Sequence, residues 1–224
     1  FILYRIFSFD NKISHLVEFL SSLFPILFIV LFIRSFVVEP FRIPSGSMIP
    51  TLFVGDFILV NKYEYGLRVP LTNKLIFENK YPERGDVIVF QFPENTKINY
   101  IKRVVGIPGD KVEYINKTLY INGKALPLQK ITDKELTNYD SSYGTVFLEN
   151  KEYLILNNPD RGISFEFKVP DDNFFVLGDN RDNSNDSRYW GTVHKNNLIG
   201  EAFMIWMYWN PQSDVAIFDR VGKN

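Results

Sequence analysis

The chain has no cysteine and only two histidines among its 224 residues. Without cysteine it forms no disulfide, has no thiol nucleophile and offers no thiolate ligand to a metal. His15 lies beside an apolar run and His194 lies in a polar stretch next to Lys195, and neither has a second histidine at the spacing of a metal site. A histidine-based triad and a metallohydrolase are therefore both poorly supported.

A basic excess is also missing, since 25 lysines and arginines are balanced by 26 aspartates and glutamates, for a formal net charge of -1. A protein that binds the phosphates of nucleic acid needs clustered positive charge. We therefore expect no nucleic-acid partner. With 46% hydrophobic and 23% charged side chains, the chain can hold one anchor and one sizeable folded unit.

A long apolar run is the first positive feature. No charge interrupts residues 19–33, and the apolar character resumes after Arg34. The stretch from Leu16 to Val38 exceeds the roughly 20 residues that cross the hydrocarbon core of a bilayer, provided that Arg34 reaches the interface. We expect residues 16–38 to be a transmembrane anchor.

Two alternatives to an anchor are a cleavable signal sequence and a buried core helix. A signal sequence ends in small residues at its cleavage site, whereas this run ends in Val37-Val38-Glu39-Pro40. We therefore expect the anchor to be retained. Because the chain starts at Phe1 rather than methionine, we expect the flank, residues 1–15, to be truncated.

Beyond Glu39-Pro40 the sequence has short runs rich in Val, Ile, Phe and Tyr, broken by glycine and proline. This texture is typical of a mainly β domain. The pair Asn122-Gly123 predicts a two-residue hairpin turn, because both positions tolerate positive φ. The predicted strands are Phe57 to Asn61, Asp86 to Phe92, Tyr100 to Gly106, Lys111 to Ile115, Leu119 to Ile121, Glu152 to Leu156, Asn173 to Leu177 and Glu201 to Trp209.

The middle of the chain is more polar than its flanks, and Lys130 to Ser142 is predicted to be an exposed connection. We therefore expect one catalytic β domain made of residues 39–109 and 171–224. Residues 110–170 would form a β subdomain inserted into it.

Ser47 and Lys102 are the candidate catalytic pair. A serine between Gly46 and Met48 is usually a turn residue, and a lysine in an apolar strand can simply protect a sheet edge. Side chains alternate along a strand, however, so Lys102 and Arg103 should point to opposite faces. A lysine kept neutral by burial can accept the proton of a serine hydroxyl.

A dense polar loop, residues 178–191, follows the apolar strand that ends at Leu177. A calcium loop counted from Asp179 fails, because its third position is Arg181 and its sixth is Ser184 instead of glycine. A solvated turn is the other plain reading. Eleven polar or glycine residues in front of Tyr189 fit better with an internally hydrogen-bonded loop that supports a buried amine.

These segments resemble, in their order along the chain, the motifs of bacterial type I signal peptidases, the leader peptidases. The matching segments are residues 35–48, 85–90, 100–110 and 178–191. The resemblance implies Ser47 as nucleophile, Lys102 as general base, Ser45 as oxyanion donor and Ser184 as the hydrogen-bond partner that positions the lysine amine. It implies that Arg103, Asp179, Asp186 and Arg188 support the site. It also implies small apolar substrate pockets formed by Phe41, Ile43, Met48, Leu52, Ile58, Val89 and Ile101.

The same resemblance implies a mainly antiparallel β-sheet catalytic domain with an inserted β subdomain, preceded by a transmembrane helix and with an apolar surface that meets the membrane. The implied activity is a membrane-bound serine endopeptidase that removes signal peptides from exported preproteins after small residues, without a cofactor. Its partners would be preprotein signal peptides and the lipid bilayer, near the protein-export translocase. Its location would be the bacterial inner membrane, with the catalytic domain on the periplasmic side.

Residues 110–170 depart from the family pattern, since the insertion lacks the cysteine pair seen in some relatives, and its role stays open. One alternative is another peptidase with a Ser/Lys dyad, such as a self-cleaving repressor or the mitochondrial inner-membrane protease; the anchor argues against a soluble repressor. From a different class, a catalytically inactive membrane-anchored β domain would only bind exported polypeptides. The intact set of Ser47, Lys102 and Ser184 argues against that.

Overall fold

The structure begins with a long apolar helix, α1, from Asn11 to Phe36. This computed structural model describes residues 11–69, 72, 74–126, 128–130, 142–148, 151–157, 164–210 and 215–222. The segment Val17–Phe36 of α1 has 20 residues and a mean hydropathy of 2.1, and none of it is buried against the rest of the chain. Its length and composition suffice to cross a membrane. Its exposure distinguishes it from the buried core helix of a soluble protein.

Antiparallel sheet dominates the chain after α1, which confirms the mainly β fold class. The strands are β1 Val38–Arg42, β2 Asp56–Asn61, β3 Leu67–Arg68, β4 Leu75–Phe77, β5 Val87–Phe92, β6 Asn95–Gly106, β7 Lys111–Ile115, β8 Thr118–Ile121, β9 Lys124–Leu126, β10 Leu128–Lys130, β11 Ser142–Leu148, β12 Lys151–Asn157, β13 Phe165–Lys168, β14 Asn173–Leu177, β15 Val193–His194, β16 Leu198–Asn210 and β17 Val215–Ile217. A short helix, α2, covers Ser187–Trp190.

The main sheet has eight strands in the order β1-β2-β16-β5-β6-β14-β15, with β17 paired to β16. All eight strands predicted from the sequence are present. Two of them begin more than one residue earlier than predicted, β6 at Asn95 and β16 at Leu198. The extension of β6 leads into the hairpin turn with β5, and the extension of β16 pairs with β5 from the other side.

Strand β1 was not predicted, because Pro40 interrupts its five residues. Proline cannot donate a ladder hydrogen bond and is tolerated mainly on edge strands. Strand β1 is an edge strand that pairs with β2 along one side, with Pro40 opposite Leu59. The main sheet therefore starts only one residue after α1 ends.

The segment between β6 and β14 builds two smaller sheets, β13-β7-β8-β9 and β10-β11-β12. Asn122 and Gly123 join β8 to β9 with φ angles of 51° and 76°, which confirms the predicted hairpin turn. The predicted exposed connection Lys130 to Ser142 falls, apart from its two ends, outside the described residues.

Three clusters of buried apolar residues lie in the part of the chain that the structure describes, and two of them bear on the position of the site. One joins the small sheets to the main sheet, since Val112, Leu119 and Ile155 pack in one cluster with Val105 and Phe175. The other lies within the main sheet, beneath the turn that carries Ser47. The two smaller sheets are therefore packed against strands β6 and β14 of the main sheet.

Candidate active site

The site is built where a tight turn meets strand β6. Ser47 lies in a 3₁₀ turn, Gly46–Met48, and Lys102 lies near the end of β6. The Lys102 Nζ and Ser47 Oγ atoms are 2.7 Å apart, and Nζ also donates to the Ile101 carbonyl oxygen at 2.9 Å. Only 4% of Lys102 and 8% of Ser47 is exposed. A serine nucleophile and its base need a direct contact of this kind.

Burial also changes the protonation of Lys102. Removal from water disfavours the charged ammonium and lowers the pKa of Lys102 from its ordinary value to about 8. The negative charges of Asp186 and Asp179 act in the opposite direction and partly offset this effect. A base is most effective when its pKa lies near the working pH, which this shift approaches.

The neighbouring cation, Arg103, points to the other face of β6, as strand alternation requires. Its guanidinium donates two hydrogen bonds to the Asp179 carboxylate, at 2.9 and 2.7 Å, and a third to the Gly85 carbonyl oxygen at 2.8 Å. Thr51 Oγ1 donates to the same carboxylate at 2.5 Å. Arg103 is thus committed to a buried ion pair that links β6 to the polar loop, and it does not contact the nucleophile.

A second ion pair holds the polar loop itself. Asp186 accepts from Arg188 Nε at 2.7 Å and from Arg188 Nη2 at 2.8 Å, and it also accepts from the Gly178 backbone N–H at 3.0 Å. Asp186 is fully buried. The pair therefore ties the two ends of the loop together and sets the path of the residues between them.

Ser45 and Ser184 lie close to the pair in different ways. Ser45 Oγ is 3.4 Å from Ser47 Oγ on the exposed side of the turn. Ser184 is buried and stands against Gly178, yet its Oγ has no hydrogen-bond partner among the residues that the structure describes. Because Lys102 Nζ bonds to Ser47 and Ile101 here, the hydrogen bond from Ser184 to the lysine amine stays a prediction.

The apolar residues assigned to substrate pockets come together in one cluster beside the turn. Their members are Ile43, Met48, Leu52, Ile58, Val89 and Ile101, with Phe41 packed against them and partly exposed. Ile101 precedes Lys102 and Met48 follows Ser47 in sequence, so this cluster borders the nucleophile on both sides. Met48 and Leu52 are fully buried within this cluster, and Ile101 is 8% exposed.

Sequence reasoning missed two residues of the site. Asn180 contacts the main chain of the nucleophile turn, and Thr51 joins the Arg103 ion pair. Asparagine in a polar loop and threonine after a proline both look like ordinary turn residues in a sequence. Neither carried a signal that singled it out.

Comparison with known proteins gives a consistent result. The family model described as "Signal peptidase, peptidase S26" matches residues 16–209. A signal peptidase I of Pseudomonas fluorescens is 47% identical over 233 residues, covering 95% of this chain and 80% of the relative. A signal peptidase I of Pseudomonas aeruginosa is 47% identical over 235 residues with the same coverage.

A solved structure is also similar. The crystal structure of a signal peptidase I from Enterococcus faecalis shares 32% sequence identity and covers 55% of this chain and 97% of its own, with a TM-score of 0.37.

Proposed function

This chain belongs to the signal peptidase family S26, and from that premise we propose that Ser47 and Lys102 are the catalytic dyad with which it removes signal peptides from exported preproteins. The observation that carries the assignment is the 2.7 Å contact between Nζ and Oγ. Burial of both side chains supports a neutral amine in that contact. The protein is a serine endopeptidase without a catalytic histidine.

The first half of the reaction follows from this geometry. Neutral Lys102 accepts the Ser47 proton while Oγ attacks the scissile carbonyl, and negative charge develops on the carbonyl oxygen. The Ser47 backbone N–H and the Ser45 hydroxyl stabilise that oxyanion, and each such donor is typically worth ~10²–10³ in rate. Collapse of the tetrahedral intermediate passes the proton from Lys102 to the leaving amine and leaves an acyl-enzyme on Ser47.

The second half uses the same residues. Lys102 is neutral again after the amine leaves, so it takes a proton from a water molecule that attacks the acyl carbonyl. The second tetrahedral intermediate collapses with return of the proton to Ser47 Oγ. Ser184 acts as a positioning residue for the amine, and the ion pairs of Arg103 with Asp179 and of Asp186 with Arg188 hold the surrounding main chain.

Substrate selection is assigned to the apolar cluster beside the turn. An extended substrate next to β1 places alternate side chains on the same side, toward Phe41, Ile43 and Ile101. Because Ile43 and Ile101 are almost fully buried, only a short side chain such as that of alanine, serine or glycine fits against them. The enzyme therefore acts after small residues in an Ala-X-Ala-like pattern.

Preproteins with leucine or phenylalanine immediately before the cut should remain uncleaved, because Met48 and Leu52 are fully buried and the cluster is already filled by the protein's own side chains. The measurement is the mass of the products after incubation of alanine, leucine and phenylalanine variants with the protein in detergent. The matched control carries the same phenylalanine ten positions after the cut and should be processed normally. Equal cleavage of the alanine and phenylalanine variants would refute the pocket assignment.

Location and organisation are part of the same proposal. Helix α1 anchors the protein in the bacterial inner membrane, the catalytic domain stands on the periplasmic side near the export translocase, and the apolar surface of this domain contacts lipid. The catalytic domain comprises residues 39–109 and 171–224, and residues 110–170 form an inserted β subdomain. The short link between α1 and β1 supports a site close to the bilayer.

Protease added to intact spheroplasts should digest the catalytic domain, because the proposal places it outside the inner membrane. The measurement is an immunoblot of a C-terminally tagged chain, with a cytoplasmic protein as the control for lysis. Protection of the tagged domain until the spheroplasts are lysed would place it on the cytoplasmic side and contradict the proposal.

A further inference from the structure

Asn180 donates two hydrogen bonds to the main chain of the turn Gly46–Met48, which carries Ser47. Its side-chain Nδ2 donates to the Gly46 carbonyl oxygen at 3.0 Å, and its backbone N–H donates to the Ser47 carbonyl oxygen at 3.1 Å. Only 7% of Asn180 is exposed. Two successive carbonyl groups of the turn are therefore held by one residue of the polar loop.

The orientation of the Asn180 amide is determined by its partners. The Gly46 carbonyl can only accept, so the NH₂ end of the amide must face it. At the other end, Asn180 Oδ1 accepts from Asn183 Nδ2 at 3.2 Å, and the Asn183 backbone N–H donates to the Asn180 carbonyl oxygen at 3.1 Å. The donor that reaches Gly46 is thus kept in place by a second asparagine of the same loop.

The consequence concerns the peptide unit between Gly46 and Ser47. In a trans peptide the C=O of one residue and the N–H of the next point in opposite directions within one rigid plane. A donor that hydrogen-bonds to the Gly46 carbonyl oxygen therefore also fixes the direction of the Ser47 N–H, on the opposite side of the same peptide plane. Glycine leaves this plane unusually free to rotate when nothing holds it.

We propose that Asn180 is a positioning residue for the oxyanion hole, and that it aims the Ser47 N–H at the developing oxyanion by holding the Gly46 carbonyl oxygen. This inference rests on the proposed role of Ser47 as nucleophile. The Gly46 carbonyl also accepts from the Ile49 N–H at 3.2 Å. That bond closes the 3₁₀ turn, while the Asn180 bond ties the turn to the polar loop.

Two variants test the proposal on the full chain in detergent. Asn180→Ala removes the donor, and Asn180→Asp keeps the shape but turns an acceptor toward the Gly46 carbonyl. The probes are a cleavable preprotein and a peptide aldehyde with alanine at its reactive end, whose oxygen occupies the oxyanion hole once Ser47 has added to the aldehyde. The matched control is Asn197→Ala, which removes a similar bond from Asn197 Nδ2 to the Gln91 carbonyl oxygen at 3.2 Å.

Asn180→Ala should lower kcat about tenfold, less than complete loss of an oxyanion donor, and weaken aldehyde binding by a similar factor. The KM should change by less than about twofold, since ground-state contacts remain. In Asn180→Ala the midpoint of the pH profile should stay at the wild-type value, because this change adds no charge near Lys102. The Asp variant should lose more activity, and its added carboxylate should move the midpoint to higher pH, as nearby negative charge raises the pKa of a lysine. Asn197→Ala should behave like the wild type in all of these measurements.

Unchanged aldehyde affinity in both Asn180 variants would overturn the proposal, even if kcat falls. Unfolding of Asn180→Ala is recognised by its thermal melting, and the isosteric Asp variant then decides the question. Failure of the dyad itself looks different: the aldehyde would bind the wild type and Ser47→Ala equally well. Binding that needs Ser47 but is indifferent to both Asn180 substitutions leaves the dyad intact and rejects only the role of Asn180.

Discussion

Lys102→Arg should abolish preprotein cleavage, with a loss of at least ~10³ in kcat, as is typical when one member of a catalytic set is removed. Arginine keeps the positive charge and most of the length, but its guanidinium is not deprotonated in the working pH range. It can therefore donate to Ser47 but cannot take its proton. Lys102→Ala and Ser47→Ala should be equally inactive, and single-turnover cleavage of a preprotein in detergent measures all three.

Two controls accompany this result: a substitution of His194 and the pH dependence of the wild type. His194→Ala should keep near-wild-type activity, because the described structure gives His194 only a capping role, with Nδ1 accepting from the Asn196 N–H at 3.2 Å. In the wild type the active form of Lys102 is the neutral one, so activity should rise with pH through a midpoint near its pKa of about 8. An active Lys102→Arg combined with an inactive His194→Ala would replace the dyad by a histidine-based triad.

Gly178→Ala should lower kcat by about a hundredfold, the loss expected when a catalytic group is displaced by roughly 1 Å. A Cβ atom on Gly178 would overlap Ser184 Oγ and lie 2.5 Å from both Ser184 Cβ and the Ser47 carbonyl oxygen. The carbonyl oxygen belongs to the main chain of the nucleophile turn, so it cannot rotate away as a side chain can. Either the turn or the polar loop must therefore move, which disturbs the contact between Ser47 and Lys102. Steady-state kinetics with a preprotein measures the loss.

Gly109→Ala is the comparison for this change. A Cβ at Gly109 meets nothing within 4 Å, but the φ of +87° strains any other residue. That variant should lose about 1 kcal/mol of stability and keep the kcat of the folded protein. Wild-type kcat in Gly178→Ala would show that the turn has more freedom than the contacts of Gly178 indicate.

The sequence allowed much of this architecture to be predicted, because its signals are local. Alternation along a strand correctly separated Lys102 from Arg103, and the turn chemistry of Asn122-Gly123 correctly marked a hairpin. Strand β1 was not predicted, because its pairing depends on β2 and because Pro40 is typical of the end of a strand. The hairpin signal needs only adjacent residues, whereas the strand needs a partner some twenty residues away.

The contacts within the site were harder to predict for the same reason. Asn180 and Gly46 are 134 residues apart in sequence. The residues next to Asn180 do not indicate which asparagine of the polar loop faces inward. The direct contact of Lys102 with Ser47 likewise depends on how β6 docks against the turn. Propensity describes a residue and its neighbours, while these contacts follow from packing between distant segments.

The short connection between helix α1 and Ser47 affects how often the site meets its substrates. Only residues 37–46 separate the end of α1 from Ser47, and even a fully extended link of that length spans at most about 40 Å. An enzyme and a substrate confined to the same thin layer meet at a high effective concentration, as two modules on a short tether do. A folded protein in bulk solution that carries the same small-residue pattern meets the site only at its own dilute concentration, so the tether itself discriminates between the two.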